Sequence, residues 1–368
     1  MSRARTFADL ATASEAGSLT SSNIIINGDM SVAQRGTSST SSSYQTVDRF
    51  SVGFGQVSVT QSQQALTSGS PYEAGFNNFI RMANTSTSSN AAAYVQLNQN
   101  IEAQHIANSG WNFKSSSSFV TLSFWARSSL AGTYYVRINT DDGTAYYRIK
   151  AFALSADTWT KVTFTIEGNS NLTINDDNGA GLSVVIVPHY GTTYSGSNAS
   201  TTAWFTLVSN DYFPDFAQNW ANTSSATFDV TGIQLELGEV ATPYKHESFG
   251  DNLLRCQRYF YKYISNNIYG PLGANGMQIN TNSTAGSMYQ GQHPIMMRTA
   301  PTMAYGGTWT AEVATGSAAF ALTGSVRTST LFWQSQEPIP TSGANDGYGA
   351  LVYANNDDDA FLSGDAEL

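Results

Sequence analysis

Aromatic side chains set among amides and carboxylates are the residues of this sequence best suited to bind a ligand. Sugar rings stack on aromatic faces, while amide and carboxylate groups fix their hydroxyls. We predict sugar contacts at Tyr135, Tyr146, Tyr190 and Trp220, with Tyr135 and Tyr146 on the more polar face of a strand hairpin. The alternative for each ring is a place in the core or at a subunit interface. The wider candidate set also contains Tyr134, Tyr147 and Tyr194.

Catalysis is the second chemistry to consider, because polysaccharide hydrolysis uses two carboxylates about 5–10 Å apart. Glu236 and Glu239 are close in sequence, but strand alternation and a turn at Gly238 do not ensure that they converge. The sequence contains no G-x-S-x-G, HExxH or phosphate-binding motif and no β-helix repeat. We therefore predict that the protein is not an enzyme. The four histidines are dispersed along the chain: His105, His189, His246 and His293.

The composition favours a β-rich protein that works outside a cell. Of the 368 residues only 12% are charged, against about 25% in average globular chains. The net charge of −10 argues against a nucleic-acid partner, and the 12% of aromatic residues argue against disorder. No run approaches the roughly 18 apolar residues of a membrane helix. The single cysteine, Cys256, excludes an intrachain disulfide and is expected to be buried.

Short strands at regular spacing predict an all-β fold. From Asn23 onward, about ten short apolar runs follow one another at intervals of roughly 8–12 residues. The run Phe119–Ala126 is the most apolar and should form a central strand. Because no long helical pattern alternates with these runs, residues 23–247 are predicted to form an antiparallel jelly-roll β-sandwich. Residues 248–368 are predicted to hold a short connecting helix and a second, smaller β domain.

The first 22 residues lack the apolar stretch of a secretory signal. They contain a short helical pattern with Phe7, Leu10 and Ala11 on one stripe. One interpretation is a peptide that attaches the protein to a larger particle, and the other is a frayed terminus. Without a signal, we expect the protein to leave its cell by another route, such as lysis.

Motifs in the first part of the sandwich resemble those of bacteriophage tail-fibre and virion structural proteins. Asn23–Gly36 (NIIINGDMSVAQRG) and Val47–Phe50 (VDRF) resemble that family's "N-L-L-I-N-G-D-F", "Q-R-G" and "D-R-W". Met30 and Phe50 replace the usual Phe and Trp, and both substitutions keep an apolar side chain. Ile101-Glu102 and the run VTLSFWAR at 120–127 are similar to the family's next motif.

The resemblance continues to about residue 305 and then stops. GIQLELGEVATPY at 232–244 is similar to the family's closing strand, and RCQRYF at 255–260 to its "R-C-Q-R-Y-Y". PIMMR at 294–298, followed by APT at 300–302, resembles its "P-M-R-x-x-P-T". As an ordered set these motifs are specific, and the last sixty residues lie outside them.

The resemblance implies a structural protein of the virion with a carbohydrate-binding-like jelly roll, most simply a homotrimer. The resemblance does not specify the appendage. We expect a tail fibre that attaches to polysaccharide on the host surface, with other virion proteins as partners at the N-terminus. The alternatives are a head fibre or decoration protein on the capsid, and a tailspike that degrades polysaccharide. A carbohydrate-binding module outside any virion is a more distant alternative.

The connecting helix is expected to contribute to the trimer. It is predicted over Asp251–Tyr263 and is too short to be stable alone. Its apolar residues should therefore pack between domains or against symmetry-related copies. We predict an oligomer interface formed by Leu253, Leu254, Tyr259 and Phe260.

A structural calcium ion is a further possibility that the jelly-roll fold suggests. Calcium needs oxygen ligands from carboxylates, amides and carbonyls. Asp29 follows the opening strand and Asp229 begins the closing one, so antiparallel pairing could bring them together, with Asn27 or Asp48 nearby. The alternative is that Asn27 and Asp29 serve only a turn and that Asp229 caps a strand end.

Overall fold

The computed structural model describes residues 23–267, 269, 271, 287–313, 316–320, 325–337 and 351–368. The chain divides into two compact units, residues 1–252 with Leu368 and residues 253–367. The predicted attachment segment, residues 1–22 with Phe7, Leu10 and Ala11, lies outside the described residues. Within the described part, no helix is both long enough and apolar enough to cross a membrane.

The first unit is built from short strands, with two helical turns between them. Helix α1 is Ser70–Glu73 and helix α2 is Ala103–Ala107. The strands are β1 (Ser38–Ser39), β2 (Ser51–Gly55), β3 (Val59–Ala65), β4 (Asn78–Asn84), β5 (Tyr94–Glu102), β6 (Phe119–Ser128), β7 (Gly132–Thr140), β8 (Tyr147–Leu154), β9 (Thr160–Glu167), β10 (Ala180–Tyr190) and β11 (Thr227–Leu237).

These strands form the two sheets of an antiparallel jelly-roll sandwich, which confirms the predicted fold class. Sheet I has six strands in the order β1-β3-β4-β11-β6-β9, and sheet II has five in the order β2-β5-β10-β7-β8. From β4 to β11 the chain passes repeatedly from one sheet to the other, as a jelly roll requires. Strand β6, the run predicted to be central, lies between β11 and β9.

Side-chain alternation along the strands fills the space between the sheets. On β7, Tyr134, Val136 and Ile138 enter this core, as the hairpin pattern predicts. Tyr135 and Arg137 project from the opposite face of the same strand. Each large apolar side chain in the core contributes about 1.5–3 kcal/mol through burial.

The entry to the sandwich is irregular, although the run Ile24–Ile26 was predicted to be a strand. It consists of bends, held to β11 by hydrogen bonds from Ile24 N to Leu235 O (2.9 Å) and from Ile233 N to Gly28 O (2.9 Å). A β-carbon at Gly28 would lie 2.0 Å from the carbonyl oxygen of Ile233. The close approach of the two backbones therefore requires glycine there.

A buried ion triad ties three neighbouring strands of sheet I together. Asp229 on β11 is 1% exposed and accepts hydrogen bonds from Arg81 on β4 and Arg127 on β6. The two closest contacts are 2.8 Å from Arg81 Nε and 2.7 Å from Arg127 Nη2. The Arg127 guanidinium also lies 4.6 Å from the centre of the Trp159 ring. Both carboxylate oxygens of Asp229 are thus occupied by guanidinium groups.

The second unit contains further antiparallel strands in three sheets of three strands each, among the described residues. Their orders are β12-β20-β14, β13-β18-β17 and β16-β15-β19. Strand β20, close to the C-terminus, is central in its sheet. The strands are β12 (Phe260–Ile264), β13 (Ser287–Gln292), β14 (Thr302–Gly306), β15 (Trp309–Val313), β16 (Gly316–Phe320), β17 (Ser325–Thr328), β18 (Phe332–Glu337), β19 (Leu351–Ala354) and β20 (Phe361–Asp365).

The connecting helix α3, Phe249–Gln257, is shorter than predicted, because β12 begins at Phe260. Cys256 is buried, as expected. The single chain already buries Tyr259 and Phe260. Leu253 is half-buried and Leu254 is 46% exposed, so Leu254 presents the more accessible apolar surface of the predicted interface set. Trimer formation through these residues stays a prediction.

The triad around Asp229 yields a stability prediction. Asp229→Asn should lower the free energy of unfolding by about 2–3 kcal/mol, somewhat below the 3–5 kcal/mol typical when one partner of a fully buried pair is removed. The reduction arises because Arg81 and Arg127 keep 32% and 25% of their side chains exposed. Urea denaturation of the two proteins measures the difference.

Glu167→Gln is the matched control for this substitution. Glu167 is 31% exposed and pairs with a single arginine, Arg148, at 3.2 Å. Arg148 is 11% exposed, but a pair whose carboxylate is partly exposed and held by one arginine contributes about 1 kcal/mol or less. Equal losses in the two variants would contradict a special role for the triad.

Candidate functional site

The outer face of sheet II, which points away from the core, carries the candidate site. On β5 every second residue projects from this face: Tyr94, Gln96, Asn98 and Asn100, all half-buried. The adjoining strand β10 pairs with β5 so that Ser183 lies opposite Asn100 and Val185 opposite Asn98. The face is therefore polar along β5 and apolar along β10.

The apolar half of this face is covered by the segment 191–226, which follows β10. Val185, Val187 and Ile149 are buried there against Phe213 and its neighbours. Tyr135 belongs to the same cluster, where its ring meets Phe216 edge-on at a centroid distance of 4.9 Å. The covering segment removes these apolar strand residues from water.

Arg137 lies beneath this cover and is 7% exposed. Its guanidinium carbon lies over three rings, at 5.1 Å from Tyr147, 5.3 Å from Tyr212 and 5.1 Å from Phe213. Its Nε and Nη1 atoms have no hydrogen-bond partner. Burial lowers the pKa of Arg137 from its ordinary value, because a cation in an apolar surrounding loses hydration. Cation–π contacts compensate for part of that loss.

Tyrosines border the polar half of the face; Tyr94 and Tyr194 are half-buried and Tyr190 is buried. Tyr94 meets Tyr190 and Tyr194 edge-on at centroid distances of 5.7 and 6.1 Å. Tyr194 in turn lies 6.4 Å from Tyr212. Edge-to-face packing of this kind fixes the ring planes. Tyr190 Oη donates to Gln96 Oε1 at 2.5 Å, which orients the Gln96 amide.

The amides of β5 form a row beside these rings. Asn98 Nδ2 donates to Asn100 Oδ1 at 2.9 Å, while Asn98 Oδ1 is buried and has no partner. Asn100 Nδ2 donates to the main-chain oxygen of Leu368, a residue grouped with this first unit. Opposite Gln96, on β2, stands Gly53, and a β-carbon there would lie 3.0 Å from Gln96 Nε2. The accessible part of the row is thus Tyr94, Gln96 and Asn98, which together with Tyr194 and Tyr212 we call the tyrosine–amide face.

The structure separates the predicted sugar-contact residues from one another. Tyr190 borders the tyrosine–amide face, whereas Tyr135 is 7% exposed and donates to the main-chain oxygen of Asp215 at 3.2 Å. The prediction for Trp220 is wrong, because its side chain is fully buried in the core. Tyr146 packs against the core of the sandwich, so its predicted outward orientation is wrong. The adjacent Tyr147 projects outward in its place and contacts Arg137.

Sequence reasoning missed Gln96, Asn98 and Arg137 as site residues. A signal for the amides was present, because the run YVQLNQNIE at 94–102 alternates apolar with aromatic or amide residues. Arg137 follows Tyr135 by two residues on β7, so strand alternation places both side chains on the same face. No local signal indicates that distant aromatic residues enclose its guanidinium.

The proposed calcium ligands do not form a metal site. Asp229 is wrong as a ligand, because Arg81 and Arg127 occupy both of its oxygens. Asp29 Oδ1 instead accepts from Ser31 and from Asn252 Nδ2 at 3.0 Å. Among the described residues, no group of three or more histidine, cysteine or acidic side chains could hold a metal ion.

The remaining residue of the proposed set, Asn27, holds the turn that follows it. Its Nδ2 donates to the carbonyl oxygens of Val32 and Asp48, both at 2.9 Å. Its Oδ1 accepts from Val32 N at 3.0 Å. Asn27 therefore serves the structural role that was the alternative to calcium binding.

The two carboxylates considered for catalysis also have separate environments. Glu236 is 1% exposed and accepts from Thr242 N at 2.8 Å, Thr242 Oγ1 at 2.6 Å and Gln234 Nε2 at 2.9 Å. Glu239 is exposed. Glu236 therefore holds the chain that leaves β11, and nothing in its contacts resembles a general acid poised for proton transfer.

No protein-family model matches this chain, and no curated protein matches it significantly. Solved structures do resemble it. A structure of the carbohydrate-binding module CBM4 is 12% identical, covers 58% of this chain and 98% of its own, and has a TM-score of 0.29. TmCBM61 in complex with β-1,4-galactotriose is 6% identical, with coverages of 60% and 99% and a TM-score of 0.29.

An apo cyclase from Fischerella sp. is similar to the same degree. It is 8% identical, covers 61% of this chain and 100% of its own, and has a TM-score of 0.34. Similarities at this level carry no conclusion about a ligand or an activity.

His189, at the end of β10, yields a prediction about pH. It is 8% exposed, and burial lowers its pKa from 6.5 to about 4. Between these two pH values the unfolded chain binds a proton that the folded chain does not bind. The free energy of unfolding should therefore be unaffected by His189 above pH 6.5 and fall by about 3 kcal/mol as the pH drops to 4.

Denaturation curves recorded across this pH range for the wild type and for His189→Gln test the effect. Carboxylates titrate in the same range, so the relevant quantity is the difference between the two proteins. The variant should lack the additional loss of stability at low pH. His246→Gln, a change at an exposed histidine, is the control and should lose stability at low pH as the wild type does. Parallel curves for wild type and His189→Gln would contradict the prediction.

Proposed function

We propose that the first unit binds carbohydrate on the tyrosine–amide face. One observation carries the proposal: Tyr94, Gln96 and Asn98 project side by side from β5, half-buried, next to the rings of Tyr194 and Tyr212. Aromatic rings offer apolar surface to a sugar ring, and amides can both donate to and accept from its hydroxyls. The arrangement combines these two functions on one rigid sheet.

The face is shallow and its contacts are few, so one copy should bind weakly. An exposed hydrogen bond contributes about 0.5–1.5 kcal/mol, and an aromatic contact contributes a similar amount beyond its area. A polysaccharide presents many equal sites, and an oligomer presents several copies of the face. Linked weak contacts of this kind can raise the overall affinity about 10²–10⁴-fold.

We further propose that the protein is a bacteriophage tail fibre, a homotrimer that uses this face on host-surface polysaccharide. The ordered set of motifs from NIIINGDMSVAQRG to APT supports that proposal. A jelly-roll unit followed by a second β-rich unit is compatible with it. A head fibre or decoration protein on the capsid would use the same parts for surface attachment.

Binding to an array of bacterial surface polysaccharides tests the carbohydrate proposal. Tyr94→Ala and Asn98→Ala should each weaken binding to the responding glycans by about three- to tenfold, equivalent to the loss of one such contact. Tyr72→Ala is the matched control, since Tyr72 is 46% exposed but lies on α1. Unchanged melting temperatures verify that each variant is folded. Equal glycan binding by the wild type and all three variants would show that sugar does not bind on the tyrosine–amide face.

Antibodies raised against the chain test the virion proposal. On electron micrographs of particles that carry the protein, labelled antibodies should bind at the tail, and sedimentation should give the mass of a trimer. Label on the capsid would favour the head-fibre alternative. A monomer that binds no particle would contradict the virion proposal but leave the carbohydrate proposal intact.

A further inference from the structure

A cleft at the end of β10 forms a second concave site in the first unit. Its volume is about 310 Å³, and its walls are the loop 88–91, residues 189–192 and the segment 215–219. That volume lies near the lower limit of small-ligand pockets, about 300 Å³. The cleft could therefore take a ligand no larger than a small sugar unit.

Two residues that line the cleft hold buried polar atoms without a hydrogen-bond partner. Gln218 Nε2 donates to Thr133 O at 2.7 Å, while Gln218 Oε1 is buried and has no partner. His189 is more than nine-tenths buried, and its Nδ1 has no partner. Both ends of the Asn90 amide are engaged, because its Nδ2 donates to Gln56 Oε1 at 3.2 Å and its Oδ1 accepts from Ala92 N at 2.8 Å. The Gln218 oxygen can only accept, so it calls for a hydrogen-bond donor.

Asp215 adds a negative charge that is held in place from two sides. Its Oδ1 accepts from Ser195 Oγ at 2.8 Å, and its main-chain oxygen accepts from Tyr135 Oη at 3.2 Å. Among the described residues that line the cleft, none is lysine or arginine. The Phe216 and Tyr190 rings also line the cleft. The site thus combines a carboxylate, two unpartnered polar atoms and aromatic surface.

We propose that this cleft binds a sugar unit that carries a protonated amino group. An ammonium group donates three hydrogen bonds, pairs with a carboxylate and is attracted to aromatic faces. An acidic sugar would place a second negative charge beside Asp215 and is excluded on that ground. The inference does not rest on the tyrosine–amide face, because Asp215, Gln218 and His189 are not part of it.

The probes are glucosamine, N-acetylglucosamine and glucose, titrated into the full chain at neutral pH. Glucosamine carries the charge, N-acetylglucosamine lacks it, and glucose lacks the nitrogen. Glucosamine should bind at least about tenfold more tightly than either of the others. Its affinity, but not that of glucose, should fall as salt is added, because salt screens an exposed charge pair.

Asp215→Asn should reduce the affinity for glucosamine to that for glucose. Asp211→Asn removes the same charge from the same segment, at a carboxylate that holds Asn198 outside the cleft, and should have little effect. Glycan binding on the array tests the tyrosine–amide face through Tyr94→Ala, whereas glucosamine titration tests the cleft through Asp215→Asn, so failure of one proposal is distinguishable from failure of the other.

Equal affinities for the three sugars, or tighter binding of N-acetylglucosamine, would overturn the proposal. An unchanged affinity in Asp215→Asn would overturn it as well. If that variant does not fold, the wild-type salt dependence decides: a glucosamine affinity that is independent of salt would exclude the proposed ion pair.

Discussion

Strand β10 is apolar on both faces, and the arrangement of the first unit depends on covering both of them. Its residues from Gly181 to Tyr190 are all buried. One face packs into the core of the sandwich, where sheet I covers it. The other face, with Val185 and Val187, would lie in water if the sheet stood alone. The segment 191–226 folds back over it and brings Phe213 into contact, because exposed apolar surface of this kind is costly.

The covering segment 191–226 buries the outer face of β10 but leaves the outer face of β5 partly open to water. On β5, the next strand, the outward residues are a tyrosine and amides, which are stable in partial contact with water. The border between covered and open sheet therefore carries both aromatic rings and hydrogen-bonding groups. The tyrosine–amide face lies on the open side of this border, and the cleft of His189 and Asp215 lies where the covering segment meets the end of β10. Both candidate sites therefore lie at the edge of the segment that buries the outer face of β10.

The sequence predicted what depends on local alternation. Period-two patterns indicated the strands, the interior position of β6 and the opposite orientations of Tyr134 and Tyr135. The pattern failed at Tyr146, because the hairpin loop sets the register: Thr140 N bonds to Tyr146 O, and the residue that projects outward is Tyr147. Side-chain alternation within one strand does not predict the register of the next strand when the geometry of the loop between them is unknown.

Features that depend on the order of strands were beyond prediction. Asp229 was expected to meet Asp29, yet its neighbours are Arg81 and Arg127, supplied by strands far apart in the sequence. Trp220 was expected to stack on a sugar ring, but the structure buries its side chain fully in the core. The strand order that decides both outcomes is set by the packing of the whole unit.

Binding of sugar on the tyrosine–amide face is tested most directly by nuclear magnetic resonance of the side-chain amides during titration with an oligosaccharide that the chain binds on the array. The Gln96 and Asn98 amide signals should shift progressively and saturate with the measured affinity. The amide signals of Asn171, an exposed residue that follows β9, should stay unchanged. Saturable binding of the oligosaccharide with the Gln96 and Asn98 signals unmoved would show that the sugar does not bind on this face.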